Sequence, residues 1–189
     1  MEVLETQFSE VKLLNPTRFS DTRGFFSELF NAARFESAIG TSLGFVQDNV
    51  SYSRHPGTIR GIHFQSPPYA QDKLVCVLRG AVIDVAVDLR IGSPTFGEHV
   101  SRRLDAENGL QLFVPVGFGH GLCTLEPDTV VLYKVSATYS PEHDLGVKWD
   151  DPDLGIAWPV STAEAIVSQK DLDQPRLRDL PVHFRFNDY

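Results

Sequence analysis

The sequence carries little that would attract a polyanion. Lys and Arg number 17 against 25 Asp and Glu, giving a formal net charge of −8 and a pI near 5.2. No global positive field exists to draw nucleic acid or an anionic membrane surface, so neither is expected as a partner. An anionic small ligand must then be held by a local cluster of Arg and Lys. No uncharged run approaches the length needed to span a bilayer, and the opening MEVLETQFSEVKLL lacks a basic start followed by a long apolar stretch. A soluble, cytoplasmic protein is expected. Only two cysteines occur, Cys76 in LVCVL and Cys123 in GLCTL. Both runs read as buried strands, where a free thiol behaves as a small hydrophobe, so reduced core thiols are expected rather than a disulfide or a nucleophile.

Also missing are GxGxxG, a P-loop, GxSxG and Cys-x-x-Cys, the usual handles for Rossmann cofactors, NTP hydrolysis, serine hydrolases and zinc ribbons. Cofactor-free chemistry becomes the leading idea. Helical signals are sparse. Only NAARFESAIG (Asn31 to Gly40) combines a cap, good helix formers and a terminal Gly.

Short segments rich in Val, Ile, Leu and Phe dominate instead: FVQDNVSYS, TIRGIHFQ, KLVCVL, AVIDVAVDL, EHVSRRL, QLFVPV, GLCTL and TVVLYKVSATY. Punctuated by turn residues, they predict an all-β dominated chain, an antiparallel sandwich or barrel with a few short helices. Arg79-Gly80 and Glu126-Pro127-Asp128 read as hairpin turns whose flanking strands should pair. After Tyr139 the stretch SPEHDLGVKWDDPDLGIAWPV, heavy in Pro, Gly and Asp, predicts an ordered loop crossing the barrel, and RLRDLPVHFRFNDY closes the chain without a clear core pattern. With 42% hydrophobic content and no repeat or low-complexity linker, one domain over residues 1–189 is expected.

Strand alternation in TIRGIHFQ places Gly61, His63 and Gln65 on one face and Arg60, Ile62 and Phe64 on the other. A polar face inside a barrel implies a ligand pocket, although a lone strand histidine is more often a half-buried residue with a hydrogen-bond partner. Gln47 and Asn49 in FVQDN, Lys73 opening KLVCVL, His120 in GFGHG and Tyr133 in VVLYKV are polar groups in settings that limit exposure. Each also has an ordinary reading: Tyr133 as a core aromatic with its hydroxyl at a polar rim, Lys73 as a strand end pointing to water, His120 as part of a turn. A metal site is disfavoured, because His63-x-Gln65 followed by Lys73 puts a cation near the place where a metal-binding barrel has an acidic ligand. His63 with His120 keeps metal binding open.

Taken together, DTRGFFSE, FVQDN, RGIHFQ, the Lys73 strand, SPTFG, PVGFGHG, LYKVSATYSPEHD and WDDPDLGIAWP closely resemble the dTDP-4-dehydrorhamnose 3,5-epimerase family from about Thr17 to about Pro175. The resemblance implies a cupin jelly-roll barrel, usually a homodimer that exchanges an N-terminal arm (about residues 1–30), with a C-terminal loop and helix tail (about 140–189). It implies isomerisation of a dTDP-4-dehydro-6-deoxy sugar at C3 and C5 without metal or organic cofactor. Carried over by motif, His63 is similar to the family's proton-abstracting base, Asp171 in SQKDLDQP to the carboxylate that orients it, Tyr133 to the acid on the opposite sugar face, and Lys73 to the residue beside the C4 oxygen. Arg60, Gln47, Asn49 and His120 match substrate-binding positions, and Arg23 and Glu28 match positions on the exchanged arm. Lys170 and Asp144 align with ligand-contacting places in less distinctive surroundings, and Phe26 and Tyr139 are candidates for stacking on nucleotide or sugar. Ile62 stands where Leu is frequent and Gly119 where Ala is common. Alternation sets Arg60 opposite His63 although the family uses both at one ligand, which calls for a bulge or kink at Gly61. The alternatives are a single-site 3- or 5-epimerase or ketoisomerase of a related dTDP-sugar, a metal-dependent cupin enzyme, or a sugar-binding cupin without activity.

Overall fold

The structure, a computed structural model, describes residues 1–188; Tyr189, at the end of the C-terminal stretch, lies outside the described residues. In chain order the elements are β1 (Glu2–Leu4), β2 (Lys12–Asn15), β3 (Arg18–Asp21), β4 (Gly24–Ser27), α1 (Ala32–Ile39), β5 (Gln47–Ser53), β6 (Ile59–Gln65), β7 (Lys73–Arg79), β8 (Ala81–Asp88), β9 (Arg90–Ile91), β10 (His99–Asp105), β11 (Gln111–Val114), β12 (Phe118–Thr124), β13 (Thr129–Val135), β14 (Asp144–Gly146), α2 (Gln169–Leu172) and β15 (Phe184–Arg185).

Two antiparallel sheets make the barrel. One has the order β1-β2-β11-β7-β13-β5, the other β10-β8-β12-β6-β14. Inward rows from both, including Val75, Val77, Val82, Ala86, Leu112, Leu122 and Val131, form the main core. The outer face of the five-stranded sheet buries Ile62, Phe64, Val85 and Val87 against the C-terminal residues Val147, Leu154, Leu177 and Phe184. The tail that shows no core pattern in sequence is therefore the cover of a sheet, held by a few widely spaced apolar anchors.

Helix α1 forms where the caps predict it. Asn31 accepts a hydrogen bond from the Arg34 N–H, Gly40 ends the helix in the left-handed region, and Phe35 is its buried anchor. The 140–160 stretch is ordered and contributes β14, which pairs with β6.

The expected hairpins at Arg79-Gly80 and Glu126-Pro127-Asp128 are not found. β7 pairs with β11 and β13 while β8 pairs with β10 and β12, and β12 and β13 likewise lie in different sheets. Both turns are corners that carry the chain from one sheet to the other. They also meet: Gly80 sits at φ +77, and a Cβ there would come within 2.4 Å of the Thr129 hydroxyl oxygen. A two-residue turn signal reports only that the chain reverses; which strand receives each edge depends on burying the inward row, a long-range matter.

Cys76 and Cys123 are buried and unpaired with each other, and burial pushes both thiols up to about 11. They behave as core residues.

Candidate active site

The barrel interior opens into a polar cavity with two lobes that share His63, Lys73 and Tyr133. The outer lobe, about 260 Å³, adds Gln47, Asn49, Gln65, Tyr139 and Asp144. The deeper lobe, about 200 Å³, adds Ser51, Arg60, His120 and Leu122. Gln47, Asn49 and Ser51 are alternate residues of β5, facing inward while Asp48, Val50 and Tyr52 face out.

Simple alternation along β6 fails at one point, which is why Arg60 and His63 share the pocket. Gly61 adopts φ +112, and the β12–β6 register shifts between His120 and Leu122. Only glycine fits: a Cβ at residue 61 would lie 2.5 Å from the His120 carbonyl oxygen and 2.6 Å from Gly121 Cα. Arg60 is then held by Ser53 Oγ at 3.1 Å and the Tyr52 carbonyl at 2.9 Å.

His63 Nε2 lies 2.5 Å from Asp171 Oδ1, leaving Nδ1 of the ring for the pocket. Asp171 is delivered by α2, whose Ser168 cap bonds the Asp171 N–H, and it is 97% withdrawn from solvent, with 3% of its surface exposed. Burial pushes its carboxyl upward, but the hydrogen bond and charge of His63, with the Gly61 N–H and Ser168, outweigh this and hold it below the usual range. A carboxylate so placed fixes the imidazole tautomer and the orientation of the ring.

Lys73 does not point to water. It is buried, donates to the His63 carbonyl at 3.2 Å, and burial lowers its ammonium to about 8 against the opposing charges of Asp144 and Asp84. Tyr133 faces the same cavity from β13, next to the Lys73 strand in the six-stranded sheet and opposite His63; burial raises its phenol, with Arg60 opposing and Asp144 and Tyr139 adding to the rise. His120 is not part of a turn. It sits mid-strand in β12, directly across from His63, with Nε2 2.8 Å from Asp84 Oδ1.

At the rim, Asp144 accepts hydrogen bonds from the Tyr139 hydroxyl at 3.0 Å and Lys170 Nζ at 2.5 Å, while Gln47 bonds Asn49 at 2.7 Å and accepts from the Tyr139 N–H. Gln65, on the inward row, spends its amide on the backbone at Tyr69, Thr138 and Ser140, so it ties down the rim loop.

Lys170 and Asp171 reach the pocket through Asp144 and His63, whereas three expected site residues neither line it nor bond to a residue that does, within one chain. Arg23 is paired with Asp21 and almost fully exposed, Phe26 is 69% exposed, and Glu28 pairs with Arg34 at 3.2 Å. All three belong to or flank the β3–β4 hairpin, which pairs only with itself. Two polar lining residues, Ser51 and Gln71, and the buried Asp84 behind His120 lie outside the sequence expectations. Ser51 follows the Gln47–Asn49 parity, and Asp84 betrays itself as a carboxylate in the apolar run AVIDVAVDL. Among the described residues no group of three or more His, Cys, Asp or Glu side chains is arranged to hold a metal ion.

A jelly-roll barrel with ionisable side chains turned into a cavity in its interior defines a protein of the cupin type. A family model described as dTDP-4-dehydrorhamnose 3,5-epimerase matches residues 5–179. A dTDP-4-dehydrorhamnose 3,5-epimerase of Sinorhizobium fredii is 54% identical over 178 residues, covering 94% of this chain and 90% of that protein. The crystal structure of a Bacillus anthracis dTDP-4-dehydrorhamnose 3,5-epimerase with TDP and PPi bound superposes with TM-score 0.89 at 52% identity, covering 93% of this chain and 98% of that one. A Legionella pneumophila dTDP-6-deoxy-D-glucose-3,5-epimerase in complex with dTDP-4-keto-L-rhamnose gives TM-score 0.93 at 41% identity, covering 98% of each chain. The chain belongs to the dTDP-4-dehydrorhamnose 3,5-epimerase family and is an isomerase.

Proposed function

We propose that this chain converts dTDP-4-dehydro-6-deoxy-D-glucose to dTDP-4-dehydro-L-rhamnose, in dTDP-rhamnose biosynthesis, with His63 as base and Tyr133 as acid. The observation that carries the reading is that these two side chains reach one cavity from opposite sheets, with buried Lys73 in the same lining.

The C4 ketone acidifies the hydrogens on C3 and C5. His63 Nδ1 takes one of them, the C–H electron pair moves onto the C4 oxygen as an enolate, and the ammonium of Lys73 stabilises that charge in a water-poor site. Collapse of the enolate with transfer of the Tyr133 phenolic proton to the opposite face inverts the carbon. Solvent then reprotonates the phenolate and takes the proton from His63. Repeating the sequence at the second carbon completes the double epimerisation. Arg60 and Lys170 supply positive charge for the pyrophosphate, with Gln47, Asn49, His120 and Asp144 as further contacts and Tyr139 as a stacking platform.

The test is deuterium incorporation at C3 and C5 of the 4-keto sugar in D2O. The parent should exchange both positions. His63→Ala should exchange neither, and Tyr133→Phe should exchange without full inversion; unchanged turnover in His63→Ala would sink the assignment.

We infer a single domain over 1–189 and a homodimer. Phe19, Phe25 and Phe26 on the β3–β4 hairpin, and Val50, Tyr52 and Leu78 on the outer face of the six-stranded sheet, are large exposed hydrophobics. Exchange of the hairpin would cover them and bring Arg23, Phe26 and Glu28 to a partner's pocket. No helix among the described residues is long and apolar enough to cross a membrane.

A further inference from the structure

We infer that Asp144 and Lys170 form a clasp that seats helix α2 so that Asp171 meets His63, which makes Asp144 a positioning residue for the proposed base. This rests on the reaction proposed above.

Asp171 arrives on an element with no apolar anchor of its own. Helix α2 is a single turn of four residues, of which only Asp171 is buried; Leu172 is exposed and Gln169 bonds within the tail, to Asp173. One turn of helix has almost no stability by itself. The chain is fixed on either side, where the Ile166 N–H donates to the Gly57 carbonyl and the Lys148 N–H to the Pro175 carbonyl. Between those points α2 is held to the barrel by polar contacts. Asp171 meets His63 at 2.5 Å and, at 3.5 Å, the Gly61 N–H; Lys170 Nζ meets Asp144 Oδ2 at 2.5 Å; and Lys148 Nζ donates to the Leu172 carbonyl at 3.3 Å.

Lys170 and Asp171 are successive residues, so about 100° of helix rotation separates their side chains. They reach neighbouring strands. Asp171 grips β6 through His63, and Lys170 grips β14 through Asp144, whose partner in the β14–β6 ladder is Gln65. A helix held by one side chain can turn about its axis and swing a carboxylate away, whereas two grips in different directions remove that freedom. Asp144 is steadied in turn by the Tyr139 hydroxyl at 3.0 Å, and with 17% of its side chain exposed its ion pair is screened less than one in open solvent. Because the imidazole must aim its free nitrogen at a C–H bond, a small displacement of Asp171 costs rate.

The experiment is a double-mutant cycle on kcat with the 4-keto sugar. Lys170→Met and Asp144→Asn, each checked for folding by circular dichroism, should lower kcat about 10–100-fold in the parent background. In the Asp171→Asn background, where no carboxylate is left to position, either change should move kcat less than about 2-fold. KM is not the readout, since Lys170 also meets the pyrophosphate in the proposed reaction. Hydrogen exchange read by mass spectrometry is independent of turnover: the peptide over residues 168–173 should exchange faster in Lys170→Met, with β6 and β14 as in the parent. Parent-like kcat with only KM raised, the same loss of kcat in the Asp171→Asn background, or unchanged exchange over 168–173 would overturn the clasp. Deuterium incorporation by the parent separates the two ideas. A parent that leaves C3 and C5 unexchanged sinks the epimerase reading, whereas an exchanging parent with an additive cycle sinks only the clasp.

Discussion

His63 and Asp171, 108 residues apart in sequence, meet at 2.5 Å beneath the sugar-sized cavity, one on a strand of the barrel and the other on a four-residue helix of the C-terminal tail. The tail therefore completes the proposed acid–base machinery as well as covering a sheet.

Asp171→Asn keeps the shape but removes the carboxylate that orients the His63 ring and fixes its tautomer. The expected outcome is a kcat reduced by about 10²–10⁴-fold, the range of general acid–base catalysis. Steady-state kinetics with the 4-keto sugar decides it, and loss in KM alone would contradict the role. The stability effect has a definite sign. A carboxyl held below its unfolded value contributes stability above the unfolded pKa of about 3.9, and that contribution is lost as pH falls through the folded value. The parent should therefore lose more stability than Asp171→Asn on acidification below about pH 4, read by urea midpoints.

Lys73, lowered to about 8, makes a second pH prediction. Below about 8 the ammonium is present and can meet the oxyanion; above it the amine is neutral, so kcat should decline on the alkaline side. Lys73→Met should abolish most turnover yet hold or raise the melting temperature, since it removes a buried cation. A destabilised Lys73→Met with a parent-like alkaline limb would contradict this account.

Gly61→Ala tests the kink that brings Arg60 beside His63. The substitution meets both a positive φ and two backbone atoms closer than 3 Å, so a loss of about 2–5 kcal/mol is expected. Chemical denaturation measures it. A variant as stable as the parent would show that β6 can follow plain alternation after all.

The exposed hairpin makes an assembly prediction. Phe25→Ser combined with Phe26→Ser should shift the proposed dimer toward monomer in sedimentation velocity and raise KM through loss of Arg23 and Glu28 from the partner's pocket. A parent that sediments as a monomer, or a dimer untouched by both changes, argues against exchange.

Much of this was legible locally. The Asn31 and Gly40 caps mark α1, the parity of Gln47 and Asn49 points both side chains inward, and Val131, Tyr133 and Val135 share the inner face of β13 as their spacing requires. Parity misled where geometry is not local. It separated Arg60 from His63, because a glycine with positive φ resets the alternation, and it gave no hint that the Gly80 and Pro127 turns join different sheets.

By itself the sequence determined the strand-rich architecture, the acidic surface and the set of polar side chains capable of the chemistry, since periodicity, caps and composition act over a few residues. Tertiary structure alone decided which of those side chains meet. It put Asp171 under His63, buried Lys73, and paired Asp84 with His120, because strand pairing and core burial are long-range contacts whose outcome no short stretch of chain contains.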